Sequence, residues 1–310
     1  MRWPKLQLNA LFDPNEQSLQ SAREKFNVPF ATTDIESFFQ SDIDAVAITS
    51  PVPAHFANVL AAAKHDKPVL CEKPLAMDQA EGRRMIDAMK QARLPFFIGF
   101  TYRFSPAAMM IREMVQNHAI GKVLDLRLIY LWGMHGKFVY AGDGTRSLSQ
   151  RRAGRMLEGG PMVDCGVHQI DLARWWLASD VARQHAVGIW VDEYEAPDHM
   201  YLHMDHINGA HTLVEMSYSY GHTVRETRPQ FKYELIGTDG LILYDREARL
   251  FELRNANGVT TLPFHEEKNF KGMYAACCRG RANRKFPNAG YGGRRFCRDR
   301  HRDERGAGSD

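Results

Sequence analysis

Cysteine is scarce in this sequence, and long apolar runs are missing. Five cysteines in 310 residues are too few and too scattered for a disulfide scaffold, so a reducing, cytoplasmic location is expected. No apolar run approaches the roughly 18 residues of a membrane span. The N-terminal segment MRWPKLQLNALFDPNE contains no apolar signal-peptide core. These absences predict a cytoplasmic protein without a membrane partner.

A strong excess of one charge is also missing. Forty Lys and Arg residues face 37 Asp and Glu residues, a net charge of +3, which does not favour a nucleic-acid partner. The balance is uneven, because residues 275–310 hold ten basic and four acidic side chains without any apolar period. We expect a basic, disordered tail there, or one produced by a shift of reading frame; the alternative is a basic arm for RNA or acidic lipid.

The first hundred residues alternate short apolar strands with helical stretches. With 44% hydrophobic and 25% charged residues, the chain is long enough for two globular domains. Strands separated by single helices predict a parallel, doubly wound sheet of the Rossmann type. The predicted strands are 6–12, 44–49, 68–71 and 95–100, and the predicted helices are 16–26, 54–65 and 78–92, the last capped by Asp78.

The pattern changes after residue 121. A long strand at 123–132 precedes a polar loop at 135–160 and a helix at 161–177, and seven further strands follow up to residue 262. Hairpin turns are predicted at three dipeptides: Asn208-Gly209, Asp239-Gly240 and Asn257-Gly258. We therefore expect an α/β chain with a Rossmann domain at 1–103, a second α+β domain with an open, mainly antiparallel sheet at 104–274, and the tail at 275–310.

Polar residues follow the predicted strands of the first domain. An open α/β sheet binds its ligand beyond the carboxyl ends of its strands, which here carry Asp13 and the segments 49–55, 72–74 and 101–103. An acidic residue at Asp13 can bind ribose hydroxyls and disfavour a 2′-phosphate, which predicts NAD over NADP. The alternative, a turn-forming Asp before Pro14, is equally compatible with the sequence.

The glycine-rich phosphate turn of a dinucleotide fold is missing. This turn normally lies about 20 residues before the acidic residue, and no G-x-G-x-x-G motif precedes Asp13. The strand that carries the turn lies in the middle of such a sheet, so its loss leaves two strands with unpaired edges. The sequence therefore predicts either a fragment of a complete fold or a different role for Asp13.

Two short motifs carry groups suited to proton transfer. Lys73 lies in C-E-K-P (71–74), directly after a buried strand, where desolvation can lower a lysine pKa. Pro74 restricts the backbone of Lys73, and Glu72 is placed to orient the lysine or contact the cofactor. The alternative for this motif is a surface turn with an incidental salt bridge.

The second motif is G-G-P-M-V-D-C-G-V-H (159–168). Asp164 and His168 are four residues apart, so they share one helical face. Such a pair suits proton relay and the binding of a substrate hydroxyl. The alternative is a helical surface ion pair that Asp171 and Arg174 continue.

A group of histidines suggests a metal, but the pattern does not favour one. On a strand, His199, His203 and Asp205 face one way and His206 the other, so we expect no convergence with His211 and no metal. Two cysteines beside the motifs, Cys71 and Cys165, are expected to be buried small apolar residues.

Five segments in this order resemble the Gfo/Idh/MocA oxidoreductases, the family of glucose–fructose oxidoreductase and inositol 2-dehydrogenase, over about residues 5–274. They are Asp13, SPVPAH (50–55), CEKP (71–74), IGFTYRFSP (98–106) and EGGPMVDCGVHQIDLARWWL (158–177). The resemblance implies an NAD(P)-binding Rossmann domain and a C-terminal domain whose open sheet forms dimer or tetramer contacts. It departs from the family at the missing glycine-rich turn and after Tyr274, where the basic tail replaces a helical ending.

The resemblance also implies roles for individual residues. Lys73 matches the lysine that exchanges a proton with the reacting hydroxyl, His168 the histidine that binds or deprotonates it, and Asp164 a substrate-binding companion. Tyr102 and Arg103 match a Tyr-Arg pair near nicotinamide and substrate. The cofactor loop T-P-N-x-x-H is matched by Ser50, Pro51 and His55, with Val52 in place of asparagine.

These residues predict hydride transfer between NAD(P) and a secondary alcohol. The expected cofactor is NAD, with NADP disfavoured, and the expected substrate is a sugar, an inositol or a related polyol. Two alternatives stay open: a non-catalytic regulator that binds a sugar or nucleotide, and an inactive, truncated gene product.

Overall fold

The chain divides into two units in a computed structural model that describes residues 6–132, 138–143, 145–220 and 228–279. Among the described residues, one unit comprises 6–99 together with 274–279, and the other spans Phe100–Met273. The part of the expected basic tail at 280–310 and the cysteine Cys297 lie outside the described residues.

The first unit alternates strands and helices, as predicted. Its elements are β1 (Ala10–Phe12), α1 (Glu16–Phe26), β2 (Phe30–Thr32), α2 (Ile35–Gln40), β3 (Val46–Ile48), α3 (His55–Lys64), β4 (Val69–Cys71), α4 (Gln79–Gln91) and β5 (Phe96–Ile98). All strand pairs are parallel. They form two sheets instead of the single predicted one, with β1 beside β2 and the order β3-β4-β5. In the described residues β1 and β3 each pair on one side only, in agreement with the two unpaired strand edges expected from the sequence.

Side-chain caps define where several of these helices begin. Asp78 accepts a hydrogen bond from the Glu81 backbone N–H, which confirms the predicted cap of α4. Asn15 caps α1 by accepting from Ser18, and Asp34 caps α2 in the same way. Apolar side chains of the helices and strands, among them Val59, Val69 and Met85, are buried together in one core.

The second unit is built on one large sheet. Its elements are α5 (Pro106–Gln116), β6 (Val123–Leu131), β7 (Phe138–Tyr140), β8 (Arg146–Leu148), α6 (Gln150–Leu157), α7 (Val167–Leu177), β9 (Val181–Ile189), β10 (His199–His206), β11 (His211–Ser217), β12 (Gln230–Gly237), β13 (Gly240–Asp245), β14 (Leu250–Asn255) and β15 (Gly258–Thr261). The eight-stranded order is β15-β14-β13-β12-β6-β11-β10-β9. All pairs are antiparallel except β11 with β6, which confirms the open, mainly antiparallel sheet.

All three predicted hairpins are present, joining β10 to β11, β12 to β13 and β14 to β15. Along β11 and β12, buried residues alternate with partly exposed ones, so one face of the sheet forms the core. Helix α7 packs on β6 and β11 at that face. The Trp176 indole N–H donates to the Ala108 carbonyl oxygen at 2.9 Å and so links α7 to α5.

Several predicted boundaries are wrong. Residues 6–9 are not part of β1, because its partner β2 offers only three residues for pairing. The predicted loop at 135–160 contains β7, β8 and α6. The predicted helix at 161–177 begins with a π-helical segment, Met162–Gly166, before α7. A last helix, α8 (Phe270–Arg279), includes residues 275–279, to which the sequence pattern assigned no structure.

Candidate functional site

The carboxyl ends of the strands in the first unit carry the predicted cofactor residues. Asp13 directly follows β1, and its Oδ1 accepts a hydrogen bond from the Asn15 backbone N–H at 2.8 Å. This contact makes Asp13 a turn residue, and a carboxylate that closes a turn can still accept from a ribose hydroxyl. The structure therefore fits both interpretations of Asp13.

His55 lies at the start of α3 and is buried, with 1% of its surface exposed. Its Nε2 lies 2.9 Å from the Ser50 carbonyl oxygen, and its Nδ1 lies 3.0 Å from that of Pro74 and 3.2 Å from that of Leu75. Because both ring nitrogens face backbone carbonyls, His55 joins the loop after β3 to the loop after β4. This geometry gives His55 a positioning role, while direct contact with a cofactor stays a prediction.

Glu72 and Lys73 follow β4 directly. The Lys73 backbone N–H donates to Glu72 Oε2 at 3.3 Å, and the Lys73–Pro74 peptide bond is cis. The Glu72 carboxylate lies close to the backbone of Gly99, where a Cβ would stand only 2.9 Å from Oε2. Sequence reasoning missed Gly99, although a glycine directly after a strand is a signal for such a close approach.

Cys71, at the end of β4, is fully buried, and this burial raises its thiol pKa to about 12. Its side chain is therefore a neutral core group, as predicted. None of the four cysteines in the described residues forms a disulfide bond, and Cys165 is only partly buried, so its predicted burial is wrong.

The ends of β3, β4 and β5 lie side by side, because these strands are parallel neighbours. A dinucleotide fits the strand ends of this unit in one respect: carboxylates suited to ribose hydroxyls follow two strands, Glu72 after β4 in this sheet and Asp13 after β1 in the other sheet. Gly99 brings backbone close to Glu72 at the same edge. None of the described residues forms a glycine-rich loop there, so we assign no group to the pyrophosphate.

In the second unit, a short 3-10 turn, Thr101–Phe104, holds two residues of α7. The rings of Tyr102 and His168 stack with their centroids 4.0 Å apart and their planes 5° apart. Arg103 donates from Nε and Nη2 to the two oxygens of Asp171. Two adjacent residues of the turn, Tyr102 and Arg103, therefore contact His168 and Asp171, which lie about one turn apart on α7.

The structure contradicts the alternative that Asp164 and His168 form a surface ion pair continued by Asp171 and Arg174. Asp164, His168 and Asp171 are all buried, and Arg174 pairs with Asp180 instead of continuing a row. Burial raises the pKa of Asp171, and the Arg103 guanidinium opposes that rise. These acidic and imidazole groups are interior groups of the second unit.

Asp164 lies on the π-helical segment and has several neighbours. Tyr218 Oη donates to its Oδ2 at 2.5 Å, the Cys165 thiol lies 3.4 Å from the same oxygen, and Arg155 Nη1 lies 3.7 Å from Oδ1. Sequence reasoning missed Tyr218 because it is 54 residues from Asp164 along the chain. No local pattern signals such a tertiary contact.

Part of the histidine group on β10 and β11 lies close together. His203 Nδ1 lies 3.2 Å from His211 Nε2, and His211 Nδ1 lies 2.8 Å from Asp205 Oδ1. The antiparallel register places His211 beside Asp205, so these three side chains lie together on the face predicted for His203 and Asp205, while the group of four histidines as a whole stays divided between two faces, as predicted. His206 lies on the other face, where Nε2 meets the Thr212 hydroxyl at 2.9 Å.

Two features are absent from the part of the chain that the structure describes. No group of three or more His, Cys, Asp or Glu side chains has a geometry that could hold a metal ion. In the same part of the chain, no helix combines the length and apolar character that crossing a bilayer requires.

Comparison with known families gives two matches that together cover most of the chain. Residues 1–100 match the GFO_IDH_MocA family, described as an oxidoreductase family with an NAD-binding Rossmann fold. Residues 109–243 match the GFO/IDH/MocA C-terminal domain.

The chain is also similar to curated sugar and inositol dehydrogenases. It is 29% identical over 195 residues to levoglucosan dehydrogenase of Pseudarthrobacter phenanthrenivorans, covering 62% of this chain and 48% of that protein. It is 32% identical over 188 residues to myo-inositol 2-dehydrogenase of Thermotoga maritima, covering 60% and 52%. The chain thus spans about half the length of these relatives.

Solved structures show the same architecture. Levoglucosan dehydrogenase in complex with NADH superposes with a TM-score of 0.71 at 25% identity, covering 84% of this chain and 72% of that one. A probable dehydrogenase from Thermotoga maritima gives a TM-score of 0.67 at 27% identity, covering 87% and 78%.

Proposed function

The chain belongs to the GFO/IDH/MocA family of oxidoreductases, and on that premise we propose that it transfers a hydride between NAD and a secondary alcohol. The proposed substrate is a sugar, an inositol or a related polyol. The observation that carries the proposal is the placement of Asp164 and His168, two buried ionisable side chains on one continuous helical stretch. Relatives that act on levoglucosan and inositol support this substrate class.

The residues of the second unit bind and orient the alcohol in this proposal. Asp164 accepts a hydrogen bond from a substrate hydroxyl, and His168 binds or deprotonates the reacting hydroxyl. The Tyr102 ring stacked on His168 limits the rotation of the imidazole. Burial keeps the pKa of Tyr102 well above its usual range, so this ring stays neutral beside the histidine.

The residues of the first unit hold the cofactor and move a proton. Lys73 exchanges the hydroxyl proton, and its backbone is fixed by Pro74 and by the hydrogen bond to Glu72. NAD, when bound, supplies the hydride acceptor. The residues of this unit that are proposed to hold it are Asp13, Ser50, Pro51, His55, Glu72 and Lys73.

The structure adds detail to three of these roles. His55 contacts three backbone carbonyls, so it acts on the cofactor through the Ser50 and Pro74 loops. Arg103, also predicted to contact the cofactor, lies in the second unit and is paired with Asp171, so we propose that it positions α7, the helix that carries His168. Tyr102 contacts the same helix, because its ring stacks on His168, and we propose that this contact holds it beside the substrate.

Turnover tests this function directly. The protein is incubated with NAD and a panel of sugars and inositols, and NADH formation is followed by absorbance. We expect NADH with at least one polyol, and Lys73→Ala should lose turnover with little change in unfolding. Lys64→Ala is the matched control, because Lys64 pairs with Glu36 at the surface with 70% of its side chain exposed. Absence of NADH with a folded protein would contradict the proposal.

Cofactor choice is tested separately, by fluorescence titration with NADH and NADPH. We expect tighter binding of NADH, because the Asp13 carboxylate repels a 2′-phosphate. An Asp13→Ser variant should narrow the difference between the two cofactors. Binding without turnover on any polyol would instead favour a non-catalytic regulator.

The remaining expectations also stand as proposals. We infer a cytoplasmic location and a dimer or tetramer formed through the open sheet. We also propose that residues 1–103 bind the cofactor and that residues 104–274 bind the substrate and form the oligomer contacts. Size-exclusion chromatography with light scattering tests the oligomeric state.

A further inference from the structure

Tyr218 makes a hydrogen bond to one of the proposed catalytic carboxylates. Its hydroxyl donates to Asp164 Oδ2 at 2.5 Å, and both side chains are buried, with 0% and 6% of their surfaces exposed. Hydrogen bonds to ionised acceptors are short and about twice as strong as neutral ones. The contact therefore restrains the Asp164 side chain.

The backbone of Tyr218 is itself held at two points. Its N–H donates to the Asp198 carbonyl oxygen at 2.9 Å, and its carbonyl oxygen accepts from Arg152 Nη1 at 3.1 Å. The ring lies edge to face against Trp132, with centroids 5.2 Å apart. The phenol is thus presented to Asp164 from a fixed base directly after β11.

The segment that carries Asp164 is also held close to β11. It is a π-helical turn, a rare form that occurs at functional sites. A Cβ on Gly166 would lie 2.5 Å from Met162 Sδ and 3.2 Å from Met216 Cγ. Because Met216 is on β11, the absence of a side chain at Gly166 lets this segment lie close to the strand that Tyr218 follows.

The phenol is suited to act only as a donor. Burial, with the nearby Asp164 charge contributing, raises the pKa of Tyr218 far above its usual range, so the hydroxyl keeps its proton at any working pH. The Tyr218 hydroxyl therefore donates to Oδ2 of the Asp164 carboxylate, while Oδ1 lies 3.7 Å from Arg155 Nη1. The two oxygens of Asp164 therefore have different surroundings.

From this geometry we propose that Tyr218 is a positioning residue, which holds Asp164 Oδ2 so that Oδ1 accepts the substrate hydroxyl. This inference rests on the proposed function, since Asp164 must contact substrate for its orientation to affect the rate. Tyr218 itself is not assigned contact with the reacting atoms.

The test is Tyr218→Phe, assayed with NAD and the polyol that the wild type oxidises. We expect kcat/KM to fall about 10- to 100-fold, the effect of losing a hydrogen bond to a charged group. The acid limb of the pH–rate profile should move to higher pH, because a carboxylate that loses a donor is protonated more easily. In an Asp164→Asn background, the same substitution should have little further effect.

The matched control is Tyr244→Phe. Tyr244 is equally buried in the second unit and loses one hydrogen bond too, the one that its hydroxyl donates to the His265 carbonyl oxygen. Its kcat/KM and pH profile should match those of the wild type. Tyr218→His, which keeps a ring N–H donor, is assayed if Tyr218→Phe does not fold, and it should retain more activity than Asp164→Asn.

The outcomes separate the two proposals. Wild-type turnover with an unchanged rate and acid limb in Tyr218→Phe would overturn the role of Tyr218 alone. Equal losses in Tyr218→Phe and Tyr244→Phe would overturn it as well, because they would indicate a general packing effect. A folded wild type without turnover on any polyol would overturn the proposed function, and this inference with it.

Discussion

Arg103 donates two parallel hydrogen bonds to Asp171, from Nε to Oδ2 at 2.6 Å and from Nη2 to Oδ1 at 2.5 Å. The neighbouring Tyr102 stacks on His168, three residues earlier on α7. One short turn therefore fixes the helix that carries His168 by an ion pair and a ring contact. The orientation of the imidazole depends on both.

Arg103→Lys tests this arrangement, because a lysine cannot make the two parallel bonds of a guanidinium. We expect the free energy of unfolding to fall by about 1–2 kcal/mol, less than for a fully buried pair, because 30% of the Arg103 side chain is exposed. Urea unfolding followed by tryptophan fluorescence measures the change. Arg174→Lys is the control, since the Arg174–Asp180 pair is exposed and should contribute under about 1 kcal/mol. Equal losses of unfolding free energy in Arg103→Lys and Arg174→Lys would contradict the role assigned to Arg103.

A second prediction concerns His206, which is buried beside Thr212. Burial is the main cause that lowers its pKa below the usual 6.5, and the nearby His211 adds to the lowering. At a pH between the folded-state pKa and 6.5, the imidazole is therefore mostly neutral in the folded protein and mostly protonated in the unfolded chain. Stability from this group is complete above pH 6.5 and is lost as the pH falls through the window down to the folded-state pKa.

The thermal midpoint of unfolding should accordingly decrease as the pH is lowered below 6.5. His206→Gln should weaken the pH dependence, because glutamine has no proton to gain there. His185→Gln, on the exposed strand β9, is the matched control and should leave the dependence unchanged. A His206→Gln profile parallel to that of the wild type would show that other groups cause the acid sensitivity.

A third prediction concerns Arg152, which has no exposed surface. Its Nη2 lies 2.8 Å from Asp192 Oδ2 and 3.5 Å from Asp198 Oδ2, and it also donates to Ser219. Arg152→Met removes the cation that lies beside two carboxylates whose side chains are 8% and 0% exposed. We expect a loss of about 3–5 kcal/mol in the free energy of unfolding.

The matched control is Arg183→Met. Arg183 also pairs with an aspartate, Asp205, but 84% of its side chain is exposed. Exposed pairs contribute about 0–1 kcal/mol, so its urea midpoint should stay close to that of the wild type. Comparable midpoints for both variants would mean that the Arg152 carboxylate partners are compensated by other groups.

Local signals in the sequence predicted most elements of the fold. The Asp78 cap and the three Asn/Asp-Gly turns each act within a few residues, and all are found in the structure. Short elements without such signals were missed. Helix α2, for example, has only six residues, and Phe38 and Phe39 are its two buried side chains.

Tertiary contacts were the part of the site that sequence reasoning could not reach. The sequence indicated Asp164 and His168 as a pair, but their partners Tyr218 and Tyr102 depend on how β11 and the 3-10 turn pack on the helix. The π-helical turn was also invisible, because Pro161 signals where a helix begins and not its hydrogen-bond pattern.

The last prediction concerns Gly99, whose missing side chain leaves room for the Glu72 carboxylate. In Gly99→Ala the new Cβ would lie 2.9 Å from Glu72 Oε2, so this flexible side chain must rotate away. Unfolding should change little, because only the end of a side chain moves. If Glu72 contacts the cofactor as proposed, NADH affinity should fall about tenfold, the loss of one hydrogen bond to a charged group.

Gly82→Ala is the control for Gly99→Ala within the same unit. Gly82 is also buried, but a Cβ there would meet only Leu75 Cδ2 at 3.6 Å and Ala76 Cβ at 3.8 Å, which is ordinary contact. Because Gly82 lies within α4, alanine should stabilise the helix by about 0.5–1 kcal/mol and leave NADH affinity unchanged. Fluorescence titration and thermal unfolding of both variants distinguish a displaced carboxylate from a packing defect. A Gly99→Ala protein that binds NADH like the wild type would remove Glu72 from the cofactor site.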